Sequence, residues 1–148
     1  MKCKPRKARL LMGVGAFVLF ASVTIPRNLW AQEMTIVVNK DVPVSELSAD
    51  QIYDIFTCIK TTWDTGDQIN FVILEEAGAL EGFTERYLGQ SATQFIRYWK
   101  KMIFTGKCNI PPSFKTREEI FEFVQSTKGA IGFVSGPAAP SVKTVKVK

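Results

Sequence analysis

Cys58 and Cys108 are the residues best suited by type and spacing to form a covalent link in this 148-residue chain. In an oxidising compartment an even pair of cysteines reads as a disulfide. Closing a loop of about 50 residues stabilises a fold by roughly 4 kcal/mol in the chain-entropy model. The alternative is two separate buried thiols. Both cysteines sit in turn-like contexts, Phe56-Thr57-Cys58 and Thr105-Gly106-Lys107-Cys108. The chain contains no histidine, so the commonest metal ligand and the commonest general base are both missing. Two cysteines without histidine give too few ligands for a metal pair, so no metal or cofactor is expected. The acidic pairs Glu75/Glu76 and Glu118/Glu119 are adjacent in sequence, and neither has a nucleophile beside it. The second pair falls where a helix would begin, a place that favours acids. Thr105-Gly106-Lys107 is too short to read as a phosphate loop and reads instead as a helix end. No enzymatic constellation emerges.

The elements that carry these residues follow an N-terminal leader. Residues 1–9 hold five positive charges, residues 10–25 form an uncharged apolar run, and a short break leads to Ala31. This order of charged, apolar and cleavage regions reads as a secretory signal peptide over residues 1–31. An uncleaved membrane anchor is the alternative, but sixteen apolar residues fall short of the roughly 20 a spanning helix needs. Cys3 precedes the apolar run and is not placed for lipid attachment. The reading implies a periplasmic or secreted protein whose working part is residues 32–148. The leader also explains the charge. The whole chain is +5, but residues 1–31 hold six of the 19 basic residues and none of the 14 acids. Residues 32–148 carry 13 basic against 14 acidic residues, a net of −1, and no nucleic-acid partner is implied.

Residues 32–148 fit one domain of ordinary composition. Apolar, β-branched runs predict strands at residues 35–39, 69–74, 130–134 and 142–147. Ser48…Gln51, Ser91…Gln94 and Thr116…Glu119 each have the spacing of a capping box. Behind the first, Ile52, Ile55, Phe56 and Ile59 recur on one helical face. A second helix is expected over residues 79–88, with Leu80, Phe83, Tyr87 and Leu88 inward and Gly89 as its stop. A third buries Phe95, Trp99, Met102 and Ile103, and a fourth buries Ile120, Phe121 and Val124 before Gly129. Strands alternating with helices predict an α/β domain, a central mixed sheet flanked by about four helices.

Two segments resemble a known family. Val44-Ser45-Glu46-Leu47-Ser48-Ala49-Asp50-Gln51-Ile52-Tyr53-Asp54-Ile55-Phe56-Thr57, followed by Lys60 and Trp63, resembles the P-V-x-x-L-s-x-x-q-l-x-d-I-F-x-G-k-x-x-x-W block of phosphate-type periplasmic substrate-binding proteins. Gly129-Ala130-Ile131-Gly132-Phe133-Val134 resembles that family's G-A-I-G-Y-V. The resemblance extends from about residue 35 to 147. It implies a single small lobe of a periplasmic-binding-protein-like fold, because the family's proteins have two lobes that clamp ligand between them. It also implies relation to phosphate ABC transporter substrate-binding components. The implied partners are a small oxyanion such as phosphate and a transporter membrane component or other envelope protein. A single lobe leaves its site open unless it pairs with another copy.

Family members carry a basic residue and then S-G-T after the strand that matches residues 69–74. Here the stretch reads Glu75-Glu76-Ala77-Gly78-Ala79. Only Gly78 fits, and two carboxylates stand near where the cation would be. Like charges at that range repel by about 1–4 kcal/mol, depending on the local dielectric. The backbone amides of Gly78 and Ala79 are the implied ligand-binding groups, holding an anion weakly or not at all. The alternative is that Gly78 simply permits a tight strand-to-helix turn. In that case the domain is a ligand-free module that binds an envelope partner or itself.

Overall fold

The computed structural model describes residues 33–148; the expected signal peptide lies outside them. The elements are β1 (Met34–Val38), β2 (Glu46–Leu47), α1 (Ala49–Phe56), β3 (Asn70–Phe71), β4 (Ile73–Leu74), α2 (Ala79–Phe83), a π-helical turn (Thr84–Leu88), α3 (Ala92–Phe104), β5 (Ser113–Phe114), α4 (Arg117–Ser126), β6 (Ala130–Ser135) and β7 (Lys143–Val147). Five strands form one mixed sheet in the order β2-β7-β1-β6-β3. β1 lies antiparallel between β6 and β7, with Met34 opposite Ser135 and Val38 opposite both Ile131 and Lys143. β3 runs parallel to β6, and β4 pairs separately with β5, also in parallel. This is the α/β lobe with a mixed sheet and four α-helices that the sequence predicts.

The three predicted capping boxes all form. Ser48, Ser91 and Thr116 accept from the backbone amides of Gln51, Gln94 and Glu119, whose side chains reach back to the cap amides. Each box satisfies two donors that a helix start would otherwise leave orphaned. α1 buries Ile52, Ile55 and Phe56 as expected. Ile59 does not join them and is 64% exposed. The helix ends at Phe56, and Cys58 then takes a left-handed conformation with φ of 60°, which carries Ile59 out of the helical stripe.

The predicted strand over residues 69–74 is divided. Asn70–Phe71 belongs to the large sheet, whereas Ile73–Leu74 pairs with β5. Val72, fully buried, links them and donates its amide to the Ile131 carbonyl at 2.9 Å. The helix expected over residues 79–88 is α-helical only to Phe83 and continues as the π-helical turn, stopped by Gly89 at φ 63°.

β6 is buried along its whole length and separates two layers. On one side Phe133 stacks on Phe83 with ring centroids 4.0 Å apart, and Phe56, Phe71 and Trp99 extend the aromatic cluster. On the other, Gly132 lets α4 approach. A Cβ there would lie 2.7 Å from Val72 Cγ1 and 3.2 Å from Ile120 Cγ2. Asn39, buried beyond the end of β1, donates its Nδ2 to the Val124 and Gln125 carbonyls and so closes the C-terminus of α4. Among the described residues no helix is long and apolar enough to cross a membrane.

Candidate functional site

Strands β3, β4, β5 and β6 run in one direction, so their C-terminal ends form one edge of the molecule. In open α/β sheets ligands bind beyond such ends. Three connections meet there: the turn from β4 into α2, the entry of α4, and the loop after β6.

The turn is held from both sides. The Glu75 amide donates to the Phe114 carbonyl at 2.7 Å, tying it to β5. The Glu76 carboxylate accepts from the Ser135 hydroxyl at 3.0 Å, tying it to the end of β6. Gly78 is exposed at φ 83°, a conformation that favours glycine, and no atom lies within 4 Å of where its Cβ would be. Its carbonyl accepts from the Gly82 amide at 2.9 Å and so begins α2. Ala79 is fully buried, and its amide donates to the Glu76 carbonyl at 3.0 Å. The Gly78 amide has no protein acceptor among the described residues. Of the two amides expected to receive an anion, the turn thus leaves that of Gly78 without a protein acceptor among the described residues and engages that of Ala79.

The entry of α4 adds a residue that sits inside a predicted capping box without being one of its two capping side chains. Arg117, the first residue of α4, donates from Nη2 to the Pro137 carbonyl at 2.7 Å and lies over the Phe121 ring at 5.8 Å. Its Nη1 is 3.4 Å from the Cβ position of Gly136, next to Ser135, and its buried Nε has no hydrogen-bond partner. No local sequence signal marks Ser135 or Arg117. Ser135 meets Glu76 across 59 residues and Arg117 meets Pro137 across 20, contacts that only the folded sheet makes.

Cys58 and Cys108 are bonded, with Cα atoms 6.2 Å apart. The bond joins the turn after α1 to the loop after α3. It forms part of the wall of a cleft of about 480 Å³, together with Gln68, Asn70, Lys107 and Phe123. That cleft opens at the N-terminal end of β3, and residues 75–79 take no part in it. Thr105-Gly106-Lys107 is a helix end, as its composition suggests. Gly106 has φ 69°, and the Gly106 and Lys107 amides donate back to the Ile103 and Met102 carbonyls. Glu118 and Glu119 lie in the first turn of α4.

No family model matches the chain, and no curated protein matches it in sequence. Solved structures do match it in shape. One, from Clostridium perfringens, is assigned as a phosphate ABC transporter substrate-binding protein with bound phosphate; it aligns at a TM-score of 0.59 and 23% identity over 77% of this chain and 44% of its own. An ABC-type phosphate transport receptor from Vibrio cholerae aligns at 0.51 and 20% identity, over 77% of this chain and 45% of its own. A protein of Planctomyces limnophilus assigned to phosphate binding aligns at 0.59 and 17% identity, over 78% and 41%. The chain spans less than half the length of each of these proteins. What these likenesses show is the fold, a periplasmic-binding-protein-like α/β lobe.

Proposed function

We propose that residues 32–148 are an exported substrate-binding-like lobe, related to phosphate transporter binding components, that holds a small oxyanion weakly at the turn of Gly78 and Ala79. The observation that carries this reading is the Gly78 amide, which has no protein acceptor among the described residues and lies at the C-terminal edge of the parallel strands, in a fold shared with a protein that has phosphate bound. The same geometry accounts for weakness. The Ala79 amide already has a partner, the Ser135 hydroxyl is donated to Glu76, and the Glu75 and Glu76 carboxylates belong to the turn. Binding rather than catalysis fits the similar structures, which are described as binding proteins or receptors. A transporter membrane component or another envelope protein is the partner such a lobe would serve.

The second reading is a ligand-free module that binds an envelope partner or a second copy. The acidic turn and the engaged Ala79 amide favour it. Isothermal titration with phosphate and related oxyanions separates the two. The first reading expects weak heat that disappears in Gly78→Val. No heat with any oxyanion, together with a stable oligomer in solution, sinks the first reading and supports the second.

A further inference from the structure

Charge is unevenly divided over this molecule. Residues 86–117 hold seven of the 13 basic side chains of residues 32–148 and none of the 14 acidic ones. The near-zero net charge therefore combines a strongly basic region with an acidic remainder. Within the basic region, α3 places Arg97, Lys100, Lys101 and Phe104 at i, i+3, i+4 and i+7, one stripe along the helix. Phe95 and Trp99, both buried, occupy the opposite face. All four stripe residues are exposed, Phe104 at 94%. None of the three cations forms an ion pair among the described residues. Like charges at this spacing oppose helix formation, and a bare phenyl ring gains nothing from packing, so neither feature serves the fold.

The loop that follows extends the same character. Lys107 is exposed, and Ile110 is 75% exposed. The Cys58–Cys108 bond brings Ile59, 64% exposed, beside that loop. Ile96, 43% exposed, lies one position from the stripe.

We propose that the outer face of α3 and the loop after it form a docking surface for an anionic lipid bilayer. The charge complementarity is direct: unpaired Arg and Lys heads meet headgroup phosphates, each adding to attraction near the surface. Phe104 stands among the cations, where a ring enters the boundary between headgroups and acyl chains. A convex helical face suits a flat surface. Nucleic acid offers the same phosphates but no apolar layer for Ile59, Ile96 and Ile110. The proposal involves none of residues 75–79 and stands apart from anion binding at that turn.

The test is co-sedimentation of residues 32–148, which hold every described element, the core and both bonded cysteines, with phosphatidylcholine vesicles that contain or lack phosphatidylglycerol. Binding is expected only with phosphatidylglycerol and should weaken as salt is raised. The triple variant Arg97→Gln, Lys100→Gln, Lys101→Gln should lower the partition coefficient by about a hundredfold. Phe104→Ser should lower it by about tenfold. All four side chains are exposed, so melting temperatures should not fall. Equal binding to neutral vesicles, no binding to anionic ones, or binding untouched by the triple variant overturns the proposal. Binding to polyglutamate or DNA in preference to vesicles, with no dependence on Phe104, also overturns it and assigns the face to an acidic polymer.

Discussion

Glu119 shows how one side chain settles the start of a helix. Its Oε2 accepts from the Thr116 hydroxyl at 2.9 Å and from the Thr116 and Lys115 amides at 3.1 Å each. These bonds, led by the Thr116 hydroxyl, hold its carboxyl below the usual range. A carboxylate with a lowered folded pKa contributes stability above its unfolded pKa and loses it as pH falls through the folded one. The other two boxes use Gln51 and Gln94, neutral side chains that accept from the cap amide in the same way. Glu119→Gln should therefore keep the cap and remove its titration. Urea unfolding midpoints at neutral pH and at about pH 3 check this; the wild type should lose stability relative to the variant on acidification, and parallel profiles refute the assignment. The capping role of residue 119 was legible because it depends on a spacing of three. Asn39 was not legible. It reads as the last residue of a strand, yet its side chain serves carbonyls 85 and 86 positions away.

At the scale of elements, local periodicity and long-range pairing had different visibility. The apolar stripes of α1, α3 and α4 were readable, since neighbours at i+3 and i+4 share a face. Met102 and Ile103 are only half-buried, because the core covers the first part of α3 more fully than the last. β2 and β5 are two residues each, too short for any alternation to show. The run over residues 69–74 looked continuous because every residue but Asn70 is apolar; the division at Val72 arises because two different partners lie alongside. Gly132 marks where α4 meets the sheet. Gly132→Val would drive a side chain into Val72 and Ile120, and such overpacking costs about 1–3 kcal/mol. A loss in urea-unfolding free energy within that range is expected, and an unchanged value would mean α4 can retreat.

Over the whole molecule, the Cys58–Cys108 bond ties α1 to the loop after α3 across 50 residues. Replacing both cysteines by serine should cost about 4 kcal/mol through the freed unfolded chain. Thermal or urea unfolding of the double variant measures it. The same bond places Ile59 and Ile110 beside Lys107, so the docking face should lose apolar contact in the double variant even where the fold survives. The site edge is also a property of the whole. Glu76, Ser135 and Arg117 come from three connections that meet only because β4, β5 and β6 end together.

By itself, the amino-acid sequence determined the α/β class, the three helix starts, the main apolar faces, the cysteine pair and the glycine turn at residue 78. Each of these rests on spacing within a few residues or on composition, where the physics is local. Tertiary structure alone decided which strands pair, that Ile59 turns outward, that the Ala79 amide is engaged while that of Gly78 has no protein acceptor among the described residues, and that Arg97, Lys100 and Lys101 stay without an ion-pair partner while Phe104 stays bare among them. Those outcomes depend on burial and on contacts between distant segments, which exist only once the core has closed.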